Sequence, residues 1–431
     1  MASQLLTGFF IIVDGFFIGQ SIGDVGLASI NILWPIAAVI LATGLGIGSG
    51  GSVVMTHAMG AGDTEKALAA RGNTLLCLGA ATVLLTAALG LSYPWLLRLL
   101  GATGELYQPA ADYTVVVVLA GGLQIFNSGL NPLLRGSGRT VAAMAIMIFS
   151  LLCNILLDWL FIAVFAWGMR GAALATVIAQ GCSAVWVLKF LTGRKAILRL
   201  RLRNLALGAG RVKSIVALGL SGFFMNLTNS LVQVVCNATL QAYGGDLYVG
   251  VMTIINSLRE VFFMPVQGLT NGAQPVTGYN YGAGRYSRVR SSIRFSVAVT
   301  VGYAAVFWAA AMLFPGLLIR VFNSEPEVVA AGIPALRIYF CLFIPMSLQM
   351  AGQGVFVSLG RSKQAVFFSL LRKAIINAPL TVVLPIWMGT TGVFTAEAIS
   401  QLVGGLACSL TMYFTVYRPL GRLPDRPPEN I

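Results

Sequence analysis

A helix rises 1.5 Å per residue, so about twenty consecutive apolar residues cross the roughly 30 Å hydrocarbon layer of a bilayer. This chain repeats such a run again and again, near residues 1–22, 30–55, 73–94, 112–134, 141–165, 169–192, 213–240, 247–275, 293–315, 333–358, 366–388 and 392–417. Lipid offers no partner for a free backbone N–H or C=O, so only helices and closed barrels can cross it. The two-residue alternation of a barrel strand is absent. The pattern predicts an all-α integral membrane protein of twelve transmembrane helices, with no length left for a soluble domain. Only 10% of its 431 residues are charged, against about 25% in an ordinary soluble domain. The first run lacks the basic start of a signal peptide and carries Asp14 within its apolar stretch, so it reads as a span. It is short ahead of that acid, so this helix either begins partway through the membrane or starts upstream of Met1.

The net charge of +14 raises the question of a nucleic-acid partner, and the distribution of the basic residues answers it. If the N-terminus is cytoplasmic, the even-numbered connections and the C-terminal tail hold 23 of the 28 Lys and Arg, including eight from Lys189 to Lys213 and the set Arg361, Lys363, Arg372 and Lys373. That is the positive-inside bias of a membrane protein, with both termini in the cytoplasm, and it removes the reason to invoke DNA or RNA. The six cysteines lie scattered in apolar runs without paired spacing and read as small core residues.

One offset recurs along the chain. A shift of 222 carries Gly23-Asp24 to Gly245-Asp246, Gly46 to Gly268, Gly50 to Gly272, Gly60-Ala61-Gly62 to Gly282-Ala283-Gly284, and Gly138-Arg139 to Gly360-Arg361. After one deletion the shift is 221, matching Gly171, Ala175 and Gln180 to Gly392, Ala396 and Gln401. The chain is read as a duplicated six-helix unit: an N-terminal lobe over 1–192, a basic cytoplasmic linker over 193–212, a C-terminal lobe over 213–417 and a tail over 418–431. Six crossings separate equivalent points, so both copies face the same way. Substrate and ion sites of such duplicated proteins lie near the midplane between the repeats, which points to a transporter.

An ionised group at the bilayer centre costs about 2.5–3.5 kcal/mol, so acids within spans are functional candidates. Asp14, Asp158 and Glu260 stand out, whereas Glu397 is expected nearer the outer end, within reach of water. Asn154 and Asp158 are four apart and share a helix face. Thr176 lies at a comparable depth in the next span. Asp14, Asn154, Asp158 and Thr176 can thus form an oxygen cluster that takes a proton or a hard cation such as Na⁺. The bland alternative has Asn154 capping a kink and Asp158 pairing with an Arg or an indole N–H. Glu260, with Asn256 one turn earlier on its face, is a candidate second coupling site, and the adjacent Arg259 points about 100° away, a poor partner for it. Amides form stripes at helical spacing: Asn226, Asn229, Gln233 and Asn237 in one span, Gln124, Asn127 and Asn131 in another. The 222 shift sends the latter to Met346, Gln349 and Gln353, with Met350 alongside. These side chains suggest a cavity both polar and soft, suited to varied ligands, though the same amides also serve to glue helices.

Gly46-Ile47-Gly48-Ser49-Gly50-Gly51 matches a dinucleotide fingerprint but lacks the strand that motif needs, so it reads as a site of close helix packing. The lone histidine, His57, comes without metal-ligand spacing or a catalytic partner and reads as interfacial.

The stretch VDGFFIGQSIGDVGLASINILWPI at 13–36, the two GAG loops, QPVTGYNYGAGR at 274–285, and the GSGR and SLGR turns together resemble the multidrug and toxic compound extrusion (MATE) family, over nearly the whole chain. QPVTGYNYGAG is similar to the prokaryotic branch related to the DNA-damage-inducible members. The resemblance implies two six-helix lobes forming a V, alternating access, and export of organic cations or drugs in exchange for H⁺ or Na⁺. It also implies an N-lobe cation site whose positions fall on Asp14, Asn154, Asp158 and Thr176. Some branches carry a glutamate where this chain has the amides Asn226 and Asn229. It implies no enzyme activity, no cofactor beyond the coupling ion, a bacterial inner-membrane location and a monomer. The rival readings are a flippase for lipid-linked sugars, which needs cationic groups for the pyrophosphate where the mid-membrane charges here are mostly acidic, and an intramembrane enzyme, which needs a nucleophile and base at one depth.

Overall fold

The computed structural model describes residues 24–99, 107–193 and 208–426. Among them there are helices and turns and no strand. The elements are α1 (Asp24–Gly60), α2 (Thr64–Leu99), α3 (Tyr107–Gly136), α4 (Thr140–Asp158), α5 (Gly168–Thr192), and a 74-residue stretch, Ala209–Gly282, that Gly245 divides into α6 and α7. After these come α8 (Tyr286–Leu313), α9 (Pro326–Phe340), α10 (Phe343–Ser358), α11 (Ser362–Leu370) and α12 (Thr390–Met412). Eight of the described helices are long and apolar enough to cross a bilayer, or nine when α9 and α10, bent by 45°, count as one span. Dividing 209–282 at Gly245 and adding α3 accounts for eleven of the twelve expected crossings. The first expected span, with Asp14, lies outside the described residues.

Each half ends its helices in the same way. Gly62 and Gly284, and likewise Gly138 and Gly360, sit at φ of 75°, 67°, 77° and 73°. In each case the following residue's N–H returns to a carbonyl five positions back, for example Asp63 to Ala58 and Arg285 to Asn280, both within 3.0 Å. These are left-handed glycine caps, and the GAG, GSGR and SLGR motifs are the sequence of those caps.

The chain divides into two compact units, the described residues up to Gly222 and those from Phe223 onward. In the first, α1 packs against α2 and α3, and α3 and α4 both pack on α5. Glycines set this packing: a Cβ on Gly48 would lie 2.1 Å from the Gly129 carbonyl oxygen, and one on Gly46 would lie 2.8 Å from that of Gly219. The fingerprint-like glycines of α1 therefore bring backbones into contact, as small residues do in membrane helices. In the second unit, α10 packs against α8 and α12, and the 371–377 segment packs on α12. Its inner core is aromatic, with Phe262 5.4 Å from Phe340 and 6.3 Å from Phe343 between ring centres. Large apolar side chains such as Leu91, Val83, Leu313 and Trp387 stand outward and exposed, the surface that a chain solvated by lipid presents.

Two inserted turns position the polar groups. α4 continues as a π-helix over Trp159–Val164, and α11 as one over Leu371–Asn377 before resuming at Ala378–Val383. A π turn accommodates one extra residue in a helix and rotates the turns beyond it.

Candidate ion and substrate sites

Asn154 and Asp158, one turn apart on α4, are both fully buried. The Asn154 Nδ2 donates to Thr176 Oγ1 of α5 at 3.5 Å. One turn earlier the Ser150 hydroxyl donates to the Ala179 carbonyl at 3.3 Å, closing the same helix pair. The Asn154 Oδ1 is buried and has no hydrogen-bond partner among the described residues. Asp158 is the last residue before the π turn. Three of the four expected ligands, a carboxylate, an amide oxygen and a hydroxyl, are thus carried by two adjacent helices, with the carboxylate enclosed by protein. Bare charge there is costly, and oxygen donors of this kind offset it by holding a proton or a hard cation.

The expected cavity residues separate into groups. Asn127 Oδ1 accepts from Ser183 at 2.8 Å, while Gln124 and Asn131 are half-buried. Asn229 is exposed, and Gln233 and Asn237 half-buried; the side chain of Asn226 lies outside the described residues. Gln349 and Gln353 depart from the cavity expectation. They are 2% and 7% exposed, and their amides donate to the carbonyls of Phe368 and Ala365, each at 3.1 Å. They tie α10 to α11, the gluing role of amides in membranes. Met346 is buried in the aromatic core, and Met350 is half-buried.

Glu260 also departs from expectation. Its Oε1 lies 2.7 Å from Arg259 Nη2, and its side chain is 55% exposed. The Cβ vectors do diverge, but both side chains are long enough to curl back to each other. Asn256 is buried, and its Oδ1 has no hydrogen-bond partner among the described residues.

The largest departure concerns Lys373 and Glu397. Both are 4% exposed, and the Lys373 ammonium bridges the two carboxylate oxygens at 3.1 and 3.2 Å. Asn377 Nδ2 donates to the same carboxylate, and Gln401 Nε2 reaches it at 3.5 Å. Glu397 is therefore buried in protein, and Lys373 lies within the membrane-length helix Ser362–Met388 rather than at its end. Removing Arg372 and Lys373 from the inner count leaves 21 of 28 basic residues there, so the charge bias persists. The expectation of mostly acidic mid-membrane charges fails in the second half, where Arg259, Arg372 and Lys373 accompany Glu260 and Glu397. A signal was present in the repeat, because matching Gln180 to Gln401 places Glu397 opposite Thr176.

The family model MatE matches residues 1–160 and 222–383. The chain belongs to the MatE family. Its two matched segments begin 221 residues apart, in agreement with the internal repeat. The chain is 24% identical over 419 residues to the multidrug export protein MepA of Staphylococcus saprophyticus, covering 96% of this chain and 91% of that one. It is 24% identical over 411 residues to an FAD transporter of Shewanella oneidensis, covering 93% and 89%. Its fold matches a MOP superfamily transporter from Pyrococcus furiosus with a TM-score of 0.91 at 23% identity, over 97% and 94% of the two chains. As a MatE member, this is a multi-pass membrane transporter and not an enzyme, and the family works without a cofactor.

Proposed function

We propose that this MatE chain is a multidrug efflux antiporter that exports organic cations or amphipathic drugs in exchange for H⁺ or Na⁺. The observation that carries this reading is the fully buried Asp158 carboxylate beside Asn154 and Thr176. Asp14 completes the site in this reading. The 222 shift sends Asp14 to Cys236, whose Sγ lies 3.8 Å from Thr381 Oγ1 on the helix equivalent to α4, and that supports pairing Asp14 with Asp158. A proton or Na⁺ entering between two carboxylates changes the charge of the N-lobe pocket, and the first expected span, which carries Asp14, bends or shifts in response. That shift favours outward release of substrate, provided each ligand binds one state better than the other. A cation moving down 100 mV supplies about 2.3 kcal/mol for this work.

The two halves act as lobes over 1–192 and 213–417, joined by the basic linker 193–212, with both termini cytoplasmic and the chain monomeric. Gln124, Asn127, Asn131, Asn229 and Gln233 are the amides proposed to face substrate. The similarity to MepA supports drug export. The three cationic side chains within the spans of the second half favour a second reading, an anionic or pyrophosphate-bearing substrate, as a flippase would take. Dye efflux from vesicles under imposed pH or Na⁺ gradients, with a cationic and an anionic dye in parallel, separates the two. In the cationic assay Asp158→Asn is expected to abolish gradient-driven efflux. Unchanged efflux in that variant contradicts the coupling role.

A further inference from the structure

The N-lobe pair Asn154–Thr176 has a counterpart in the second half. The repeat runs at a shift of 222 to Gly360, and the π turn at 371–377 adds one residue, making the shift 223 beyond it. Asn154 then corresponds to Asn377 and Asp158 to Thr381, while the later shift of 221 sends Thr176 to Glu397 and Gln180 to Gln401. The contacts agree with this alignment. As Asn154 bonds Thr176 across α4 and α5, Asn377 bonds Glu397 across the equivalent helices. Thr381 Oγ1 donates to Asn377 Oδ1 at 3.2 Å. The acid and the hydroxyl have exchanged helices and Cys236 stands at the place of Asp14, but the second half again gathers a carboxylate, amide oxygens and a hydroxyl. Gln401 Oε1 is fully buried and has no hydrogen-bond partner among the described residues. A further difference separates the two sites. In the second half an ammonium, Lys373 Nζ, lies against both carboxylate oxygens.

We infer that the cluster of Lys373, Asn377, Thr381, Glu397 and Gln401 is the C-lobe copy of the cation site, permanently filled by a tethered cation, the Lys373 ammonium. The lysine keeps Na⁺ and H⁺ out of the C-lobe, so the N-lobe alone exchanges an ion during transport. Taking Lys373 away leaves a dry carboxylate with oxygen ligands and without the ammonium that touches both its oxygens, a site for a free cation. Arg259 and Arg372 are further cationic neighbours of Glu397, and Tyr339 and Cys236 also face it. If those arginines sufficed to balance the carboxylate, removal of Lys373 would open no site, so the experiment can fail.

The inference rests on reading the N-terminal cluster as the coupling site. The test is the melting temperature of the purified full chain, comparing Na⁺ with choline at pH 8, and pH 8 with pH 6 in choline. Lys373→Ala is expected to gain a cation response over the native chain, on the order of 1 °C for each 1 kcal/mol of linked binding in a chain of this length. Adding Glu397→Gln to that variant removes the gain. If Lys373→Ala can be recovered folded only in Na⁺ or at pH 6, the same site has been read by rescue. Equal responses of Lys373→Ala and the native chain, or equal instability in every cation, overturn the inference. Glu397→Gln alone should leave the native ion response in place, and its loss would mean that the C-lobe already binds the ion. Asp158→Asn should lose the native response yet still gain the new one when combined with Lys373→Ala. If Asp158→Asn responds like the native chain, the N-lobe reading fails while the Lys373 comparison still decides this one.

Discussion

Thr176 contributes little to holding α4 and α5 together, since 3.5 Å is at the outer limit of a hydrogen bond. Thr176→Val is therefore expected to change stability by less than about 1 kcal/mol. As a ligand of a charged group the same hydroxyl is worth about 1.5–3 kcal/mol, so the ion concentration for half-maximal efflux should rise about tenfold or more. Native ion dependence in Thr176→Val would remove this hydroxyl from the site. Outside the membrane, Asp425 accepts from both the amide and the hydroxyl of Ser287, and those bonds hold its carboxyl below the usual aspartate range. A depressed folded value means the contact stabilises fully above the unfolded aspartate value, about 3.9, and is lost as pH falls through the lower folded value. Hydrogen exchange at the Ser287 amide should show protection at neutral pH that disappears in acid, and Asp425→Asn should lower it at neutral pH. The pairing of Arg259 with Glu260 shows where residue spacing misleads: it fixes Cβ directions, and two long side chains can still meet.

Helix contacts and helix breaks make sharper demands. A Cβ on Gly48 would sit 2.1 Å from a backbone oxygen of α3, which no rotamer change relieves. Gly48→Ala should cost about 1–3 kcal/mol by forcing the helices apart, read as a lower melting temperature in detergent. Gly245, at φ 64° and ψ −162°, separates α6 from α7 in a region essentially reserved for glycine. Gly245→Ala should cost about 1–3 kcal/mol although its Cβ meets nothing within 4 Å; a neutral result would place the bend elsewhere. The spans themselves were legible because hydropathy over twenty residues averages out local error, and the glycine-rich caps were legible because only one residue type tolerates them. The π turns were not legible, since their propensities are those of any apolar helix. One inserted residue is enough to turn Lys373 from the end of a span, where basic residues are expected, into the buried face against Glu397.

For the molecule as a whole, the proposal is of a duplicated chain whose two copies of one site have different contents. The proposed N-lobe site stands out in the sequence because Asp158 is the one formal charge between Val141 and Phe165, so the cost of burying it marks it. The Lys373–Glu397 cluster proposed as the C-lobe copy was masked because its charge is balanced internally, and a balanced pair leaves no anomaly in a charge count. A transporter with one open and one closed copy should move one class of cation against its substrate and do no work without it. The direct measurement is flux of both species in proteoliposomes, with substrate added on one side and an entrapped pH or Na⁺ indicator reporting the ion. Antiport through Asp158 predicts that substrate movement drives H⁺ or Na⁺ the opposite way in the native chain and not in Asp158→Asn. Substrate flux in the native chain with no opposing movement of either ion contradicts it.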